Sequence, residues 1–125
     1  KYHEIRPLLS YYRAMSQDGD LLYMYYGAGS AMEFYAGEYG IREFVHGVGP
    51  YYRGLNGYVD DVNALRGRRR VWLLFSEVKQ QDGIDEEKFF LYVLDRIGHR
   101  LDARTEFGAS LYLYDLGRDS TEHGS

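Results

Sequence analysis

Four groups of residues in this chain have types and spacings that bear on chemistry. The first is Gly27-Ala28-Gly29-Ser30, placed between an apolar run and a stretch with helical periodicity. A glycine turn between strand and helix is where dinucleotide folds hold phosphate, because the first helical N–H groups point outward there. The third glycine of a G-x-G-x-x-G pattern would fall at position 32, which is Met32, and the second strand ends Val45-His46-Gly47 with no acid. A tight turn followed by a capped helix, with Ser30 and Glu33 at capping-box spacing, accounts for the same residues. The second group is His46, Glu33, Ser76 and Glu77, all read as lying near the carboxyl ends of strands, the usual ligand crevice of an open α/β sheet. A Ser–His–acid trio can be written from them. Ser76 lacks the flanking glycines of a nucleophile elbow, so a polar strand end is the simpler reading.

The third group is acidic and histidine-rich positions. His3, His46, His99 and His123 are scattered, with no H-x-x-x-H spacing. Asp60-Asp61 and Asp82 with Asp85 do not form a calcium loop, and read as surface turns and a helix cap. No metal site and no cofactor is expected. The fourth group is basic and aromatic: Arg66, Arg68, Arg69 and Arg70, with Tyr51, Tyr52 and Arg53 in the irregular stretch before them. Guanidinium groups suit phosphate, anionic headgroups or an acidic partner. Tyrosines with an apolar body and a polar tip suit an interface or a stacked glycan. The plainer reading is a solvated connection.

These residues must be positioned by elements that the hydrophobic pattern defines. Ile5, Leu8, Leu9, Tyr12 and Met15 make a helical stripe over 4–16, with Pro7 in the first turn. Residues 21–26 and 71–75 are apolar on both faces, the mark of central strands covered by helices on each side. A helix from Ser30 to Gly40, a more polar strand at 42–46, and a helix over 58–65 facing inward through Val59, Val62 and Leu65 follow the first strand. The loop 79–84 leads to Asp85, which caps a helix whose stripe is Phe90, Val93, Leu94 and Ile97. Gly98 is read as its C-cap. A polar strand at 100–107 and an apolar one at 110–116 are too close in sequence for a crossover, so they form a hairpin. The expectation is a three-layer α/β/α, Rossmann-like domain over 1–118. Its five-stranded sheet is expected to be mostly parallel, in the order 2-1-3-5-4. Residues 119–125 form a polar, disordered tail.

Composition narrows the function. The chain has 125 residues, no cysteine, and a net charge of −4. Thiol chemistry is excluded, and a general nucleic-acid binder is not expected from an acidic chain. Apolar runs are of strand length, short of a membrane span. The polar ends read as those of a piece cut from a longer protein, or of a processed chain. Fourteen tyrosines, many in strands, read mainly as core and half-core residues.

The segments RPLLSYYRAMSQDGDLLYMYYGAGSAMEFYA (6–36), LRGRRRVWLLFSEV (65–78), DEEKFFLYVLDRIGHRLDA (85–103) and GASLYLYDL (108–116) carry a further likeness. The chain resembles the soluble C-terminal domain of bacterial polytopic membrane proteins in the family-39-like glycosyltransferases, the dolichyl-phosphate-mannose–protein mannosyltransferase group. Relatives read F-S-H-V where this chain has Phe75-Ser76-Glu77-Val78. The resemblance implies a non-catalytic accessory domain of an integral membrane protein that uses a lipid-phosphate-linked sugar. It would lie at the extracytoplasmic, periplasmic face of a bacterial inner membrane. Its partner would be the membrane-embedded portion of the same polypeptide, with anionic lipid headgroups or a glycan as further contacts. No catalytic residue of the group carries over to a position here. The alternatives are a small-ligand or nucleotide-binding domain using Gly27, Gly29, Ser30, His46 and Glu77, or a purely structural, partner-binding module.

Overall fold

The computed structural model describes residues 5–47 and 54–117. Helices α1 (Arg6–Met15), α2 (Gly29–Glu38), α3 (Asn56–Leu65) and α4 (Glu86–Ile97) alternate with strands β1 (Leu21–Met24), β2 (Val45–His46) and β3 (Val71–Ser76). Short strands β4 (Gln80–Gln81) and β5 (Ile84–Asp85) precede α4, and long strands β6 (His99–Glu106) and β7 (Ala109–Asp115) follow it. A 3₁₀ turn, Tyr26–Ala28, joins β1 to α2. The expected tail at 119–125 and the segment containing Tyr51, Tyr52 and Arg53 lie outside the described residues, as do His3 and His123.

The main sheet is five-stranded, in the order β2-β1-β3-β7-β6. This differs from the expected 2-1-3-5-4, because β4 and β5 enter the chain count while forming a separate two-stranded sheet. Nor is the sheet mostly parallel. β1 pairs in parallel with β2 and β3, but the longer β3–β7 and β6–β7 ladders are antiparallel. The reason is the tight turn between β6 and β7: it leaves no chain for a crossover and places two long strands side by side. β7 lies inside the sheet, with Leu73 opposite Tyr112, and β6 forms one edge. That edge carries a bulge between Arg100 and Asp102, and the Asp102 carboxylate accepts the Ala103 N–H at 2.8 Å.

Every residue of β3 is buried, as an apolar strand with helices on both sides requires. Alternate residues divide the core between the two faces. Leu22, Met24, Trp72, Leu74, Leu111 and Leu113 pack under α1 and α2. Tyr23, Tyr25, Leu73, Phe75, Tyr112 and Tyr114 pack under α3 and α4.

Several local expectations need correction. β1 stops at Met24, although the Tyr25 N–H still bonds Leu74 O at 2.9 Å. The strand expected at 42–46 shrinks to Val45–His46, since Arg42 and Glu43 supply no apolar face to bury. The loop expected at 79–84 is instead a hairpin turning on Asp82 and Gly83, both at positive φ. α3 starts at Asn56 and buries Tyr58, Val62 and Leu65, with Val59 only half-buried. In α4 the inner face holds Glu86 as well as Phe90, Leu94 and Ile97. Gly98 is not a left-handed cap: its φ is −160°. Its small size matters instead, because a Cβ there would come within 2.5 Å of Asp115 O and of Leu116 Cδ2.

The start of the sheet is held by Asp20, whose side chain is only 2% exposed. It accepts from Arg70 Nε at 2.8 Å, from Trp72 Nε1 at 2.7 Å and from the Gln17 N–H at 2.9 Å. Burial opposes the charge, but these donors outweigh it and hold the carboxyl below its ordinary value. Arg70→Ser removes the charged partner of a buried carboxylate, so it should cost about 2–3 kcal/mol in urea unfolding. Because the folded carboxyl titrates below the unfolded one, the stability it contributes is present above the ordinary aspartate pKa and is lost as pH falls. The deficit of Arg70→Ser should therefore shrink on acidification through that range.

Candidate functional site

Tyrosines at alternate positions of a strand share a face. Tyr23 and Tyr25 on one side of β3, and Tyr112 and Tyr114 on the other, therefore point together toward α3 and α4. Each meets an acid. The Tyr23 hydroxyl donates to Asp61 Oδ2 at 2.8 Å, Tyr112 to Glu87 Oε2 at 2.5 Å, and Tyr114 to Asp95 Oδ1 at 2.5 Å. Tyr25 and Tyr58 both donate to Glu86 Oε1, Tyr58 at 2.8 Å. Glu86 is 1% exposed and lies in the first turn of α4, where the helix dipole favours a negative group. The Tyr25 oxygen also accepts the Lys79 N–H at 2.9 Å, and Lys79 O accepts the Glu86 N–H at 3.0 Å. Arg100 closes the far end: its Nε donates to the Tyr114 oxygen at 2.9 Å and its Nη2 lies 3.1 Å from Asp95.

Burial first, then these carboxyl neighbours, raise the pKa of Tyr23, Tyr25, Tyr58 and Tyr114, and push Tyr112 up to about 12. All five phenols are thereby kept as neutral donors. The carboxyls that receive them are committed to holding helices on the sheet.

The strand-end crevice is the second feature. It should open where β1 sends the chain to α2 on one face while β3 sends it to α4 on the other. Tyr25 is fully buried there, its ring against Phe75 and Phe90. Gly27 lies so close to the next strand end that a Cβ would come 2.7 Å from Glu77 O and 2.4 Å from Tyr25 Cε2. Glu77 itself has a φ of 57°. Gly27 thus serves a close approach of the chain to the end of β3. Gly29 opens α2, and the Ser30 side chain is outside the described ones. Ser76 is buried at the end of β3, two strands from His46 and so about 10 Å away across the sheet. The Ser–His–acid trio is not assembled. His46 and Glu33 do meet, Nδ1 to Oε2 at 2.8 Å.

The third feature is a cleft of about 200 Å³ between the β2 edge and α3, lined by Leu21, Tyr23, Val45, His46, Asp61, Ala64, Leu65 and Arg68. It brings together two residues read separately in the sequence, His46 and Arg68. Gly47 lies close against Tyr23, since a Cβ there would come 2.3 Å from the tyrosine oxygen. The remaining arginines of the run have different neighbours. Arg66 reaches Asn63 Oδ1 at 3.3 Å, the Arg69 stem runs along Gly117, and Arg70 is taken by Asp20. Tyr51, Tyr52 and Arg53, expected to share that surface, are outside the described residues.

Sequence reasoning placed Glu86 only as a first-turn acid and missed its burial. The available signal was the i, i+2 repetition of tyrosine in both inner strands, which calls for hydroxyl acceptors on the facing helices.

Among the described residues, no group of three or more His, Asp or Glu side chains could hold a metal ion, and no helix is long and apolar enough to cross a membrane. No protein-family model matches the chain, and neither a curated protein nor a solved structure matches it.

Three outcomes follow for this site. Tyr58→Phe deprives buried Glu86 of a donor and should cost about 1–3 kcal/mol in urea unfolding. The raised phenols contribute stability that is complete below the ordinary tyrosine pKa and is lost as pH rises through their folded values. Unfolding free energy should therefore fall above about pH 10, together with a rise in phenolate absorbance. Gly27→Ala should lower stability by about 1–3 kcal/mol through overpacking, read as a reduced urea midpoint.

Proposed function

We propose that the chain is a non-catalytic accessory domain at the extracytoplasmic face of a membrane-embedded, glycosyltransferase-like protein that uses a lipid-phosphate-linked sugar. The observation that supports it most is the commitment of the acids. Glu86, Glu87, Asp61 and Asp95 each hold a tyrosine hydroxyl. General acid–base chemistry at a glycosidic centre needs two carboxyl groups facing a shared space. At the strand ends, where such a space would open, Tyr25 is buried and Gly27 lies against Glu77. A domain built this way serves as a rigid body docked against other parts of a larger polypeptide, and the sequence resemblance supplies the nature of that polypeptide.

The surface best suited to face the membrane or the membrane-embedded portion is the turn after α3. Arg66, Arg68 and Arg69 are exposed there, and each would contribute on the order of 1 kcal/mol near an anionic surface. Arg70 does not belong to this surface, because it is needed by Asp20. Liposome co-sedimentation tests the reading. The chain should bind vesicles containing anionic lipid at low salt, release them at high salt through screening, and lose most of the binding in Arg66→Ser/Arg69→Ser with unchanged circular dichroism. Equal binding by the double variant and the parent chain would remove the membrane-facing assignment. Glycosyl transfer by the purified chain alone would remove the non-catalytic one.

A further inference from the structure

The cleft beside β2 has a polarity that runs along its length. β1 and α3 line its two sides, and their residues fix its ends. The Leu21 N–H bonds Arg70 O at 3.2 Å, so the segment from Arg68 to Arg70 lies at the start of β1. Leu65 and Arg68 border that end of the cleft. Tyr23 lies two residues further along β1, about 7 Å away, with Asp61 bonded to its hydroxyl and Val45 as its partner in β2. His46 follows Val45 at this second end. Leu21, Val45, Ala64 and Leu65 give an apolar wall between the two ends.

The polar groups differ in what they have left to offer. Arg68 is exposed, and among the described residues no carboxylate pairs with it. Asp61 accepts the Tyr23 hydroxyl through Oδ2, which leaves Oδ1 as an acceptor at the cleft. His46 is oriented by Glu33 through Nδ1, which leaves Nε2 as its second polar atom. One end thus presents a fixed cation with five donors, and the other presents acceptor capacity with negative charge. At about 200 Å³ the space is below the usual range for drug-sized ligands.

We infer that this cleft binds a small amphipathic organic acid, with its carboxylate on Arg68, an apolar body along Leu21, Val45, Ala64 and Leu65, and a hydroxyl at Asp61 and His46. A second anionic group at the Asp61 end would be repelled. A cation at the Arg68 end would be repelled as well. The apolar wall excludes a body made only of polar groups, since their lost hydration would go unreplaced. The cleft takes such a ligand whether or not the chain belongs to a membrane transferase.

The test is an NMR titration of the full chain, following the methyl signals of Val45, Ala64 and Leu65. Three probes share one body: 3-(4-hydroxyphenyl)propionate has both end groups, 3-phenylpropionate lacks the hydroxyl, and tyramine replaces the acid by an amine. Saturable shifts at these methyls are expected with 3-(4-hydroxyphenyl)propionate. Affinity should be about tenfold weaker for each of the other two, and about tenfold weaker for the first probe with Arg68→Ala, the loss expected of one charge-assisted hydrogen bond. Arg66→Ala, two residues away and not lining the cleft, should leave the titration unchanged. Absence of saturable shifts at these methyls, tighter binding of tyramine, or equal affinity in Arg68→Ala would each overturn the inference. Arg68 has no role in the core, so a folded variant is expected, and matching amide spectra without probe confirm that the comparison is valid.

Discussion

The hydrogen bond between a strand tyrosine and a helix carboxyl is the constraint on which this structure depends. A sheet covered by helices on both sides is ordinarily sealed by aliphatic contact alone. Here the face under α3 and α4 carries Tyr23, Tyr25, Tyr112 and Tyr114, and the helices cover their rings and much of their hydroxyls. Buried hydroxyls without partners are costly. Asp61, Glu86, Glu87 and Asp95 remove that cost, and in doing so they fix both helices in position along the strands. Glu86 carries the most, because it receives two phenols, one from beyond β1 and one from α3. It ties the sheet, α3 and α4 at one atom. A carboxyl so enclosed is a structural group, and the chemistry open to this domain is set by what remains outside the phenol bonds.

The opposite face is organised differently, around the single tryptophan. Trp72 packs edge-on against Tyr12 and Tyr11 of α1, and its indole N–H is held by Asp20. Asp20 also recruits Arg70, so a residue that looks like part of a basic surface run is a structural anchor. Arginines adjacent in sequence alternate between roles because the chain enters β3 at this point. Arg70 faces the core side, while Arg68 lines the cleft and Arg69 lies against Gly117.

Much of the fold was legible. Residues 21–26 and 71–75 announce themselves as central strands because neither has a polar face, and the pairing of Leu22 with Trp72 follows. Pro7 and Asp85 mark the starts of α1 and α4 by the chemistry of helix ends. The hairpin at 80–85 is marked by its turn alone: Asp82-Gly83 is a favoured two-residue turn, but its strands are two residues each and show no alternation. The balance of parallel and antiparallel pairing was misjudged because ladder length, not strand count, decides it. The site was less legible. His46 and Arg68 stood out singly, yet their meeting across the cleft depends on how α3 returns over the sheet, which no local pattern encodes. The burial of Glu86 was hidden because an acid in a helix's first turn already has a sufficient surface explanation.

The bulge in β6 reaches beyond the monomer. An eight-residue strand at a sheet edge offers unpaired backbone groups to any other extended chain, and at high concentration that invites edge-to-edge stacking and aggregation. This edge is made a poor template. Its register breaks between Arg100 and Asp102, the Asp102 side chain occupies the neighbouring Ala103 N–H, and Arg100 and Arg104 lie over tyrosine rings. An incoming strand would have to displace a side chain, cross a kink and approach two guanidinium groups. The guard against edge-to-edge stacking is thus the geometry of one strand, at the margin of the sheet farthest from the cleft.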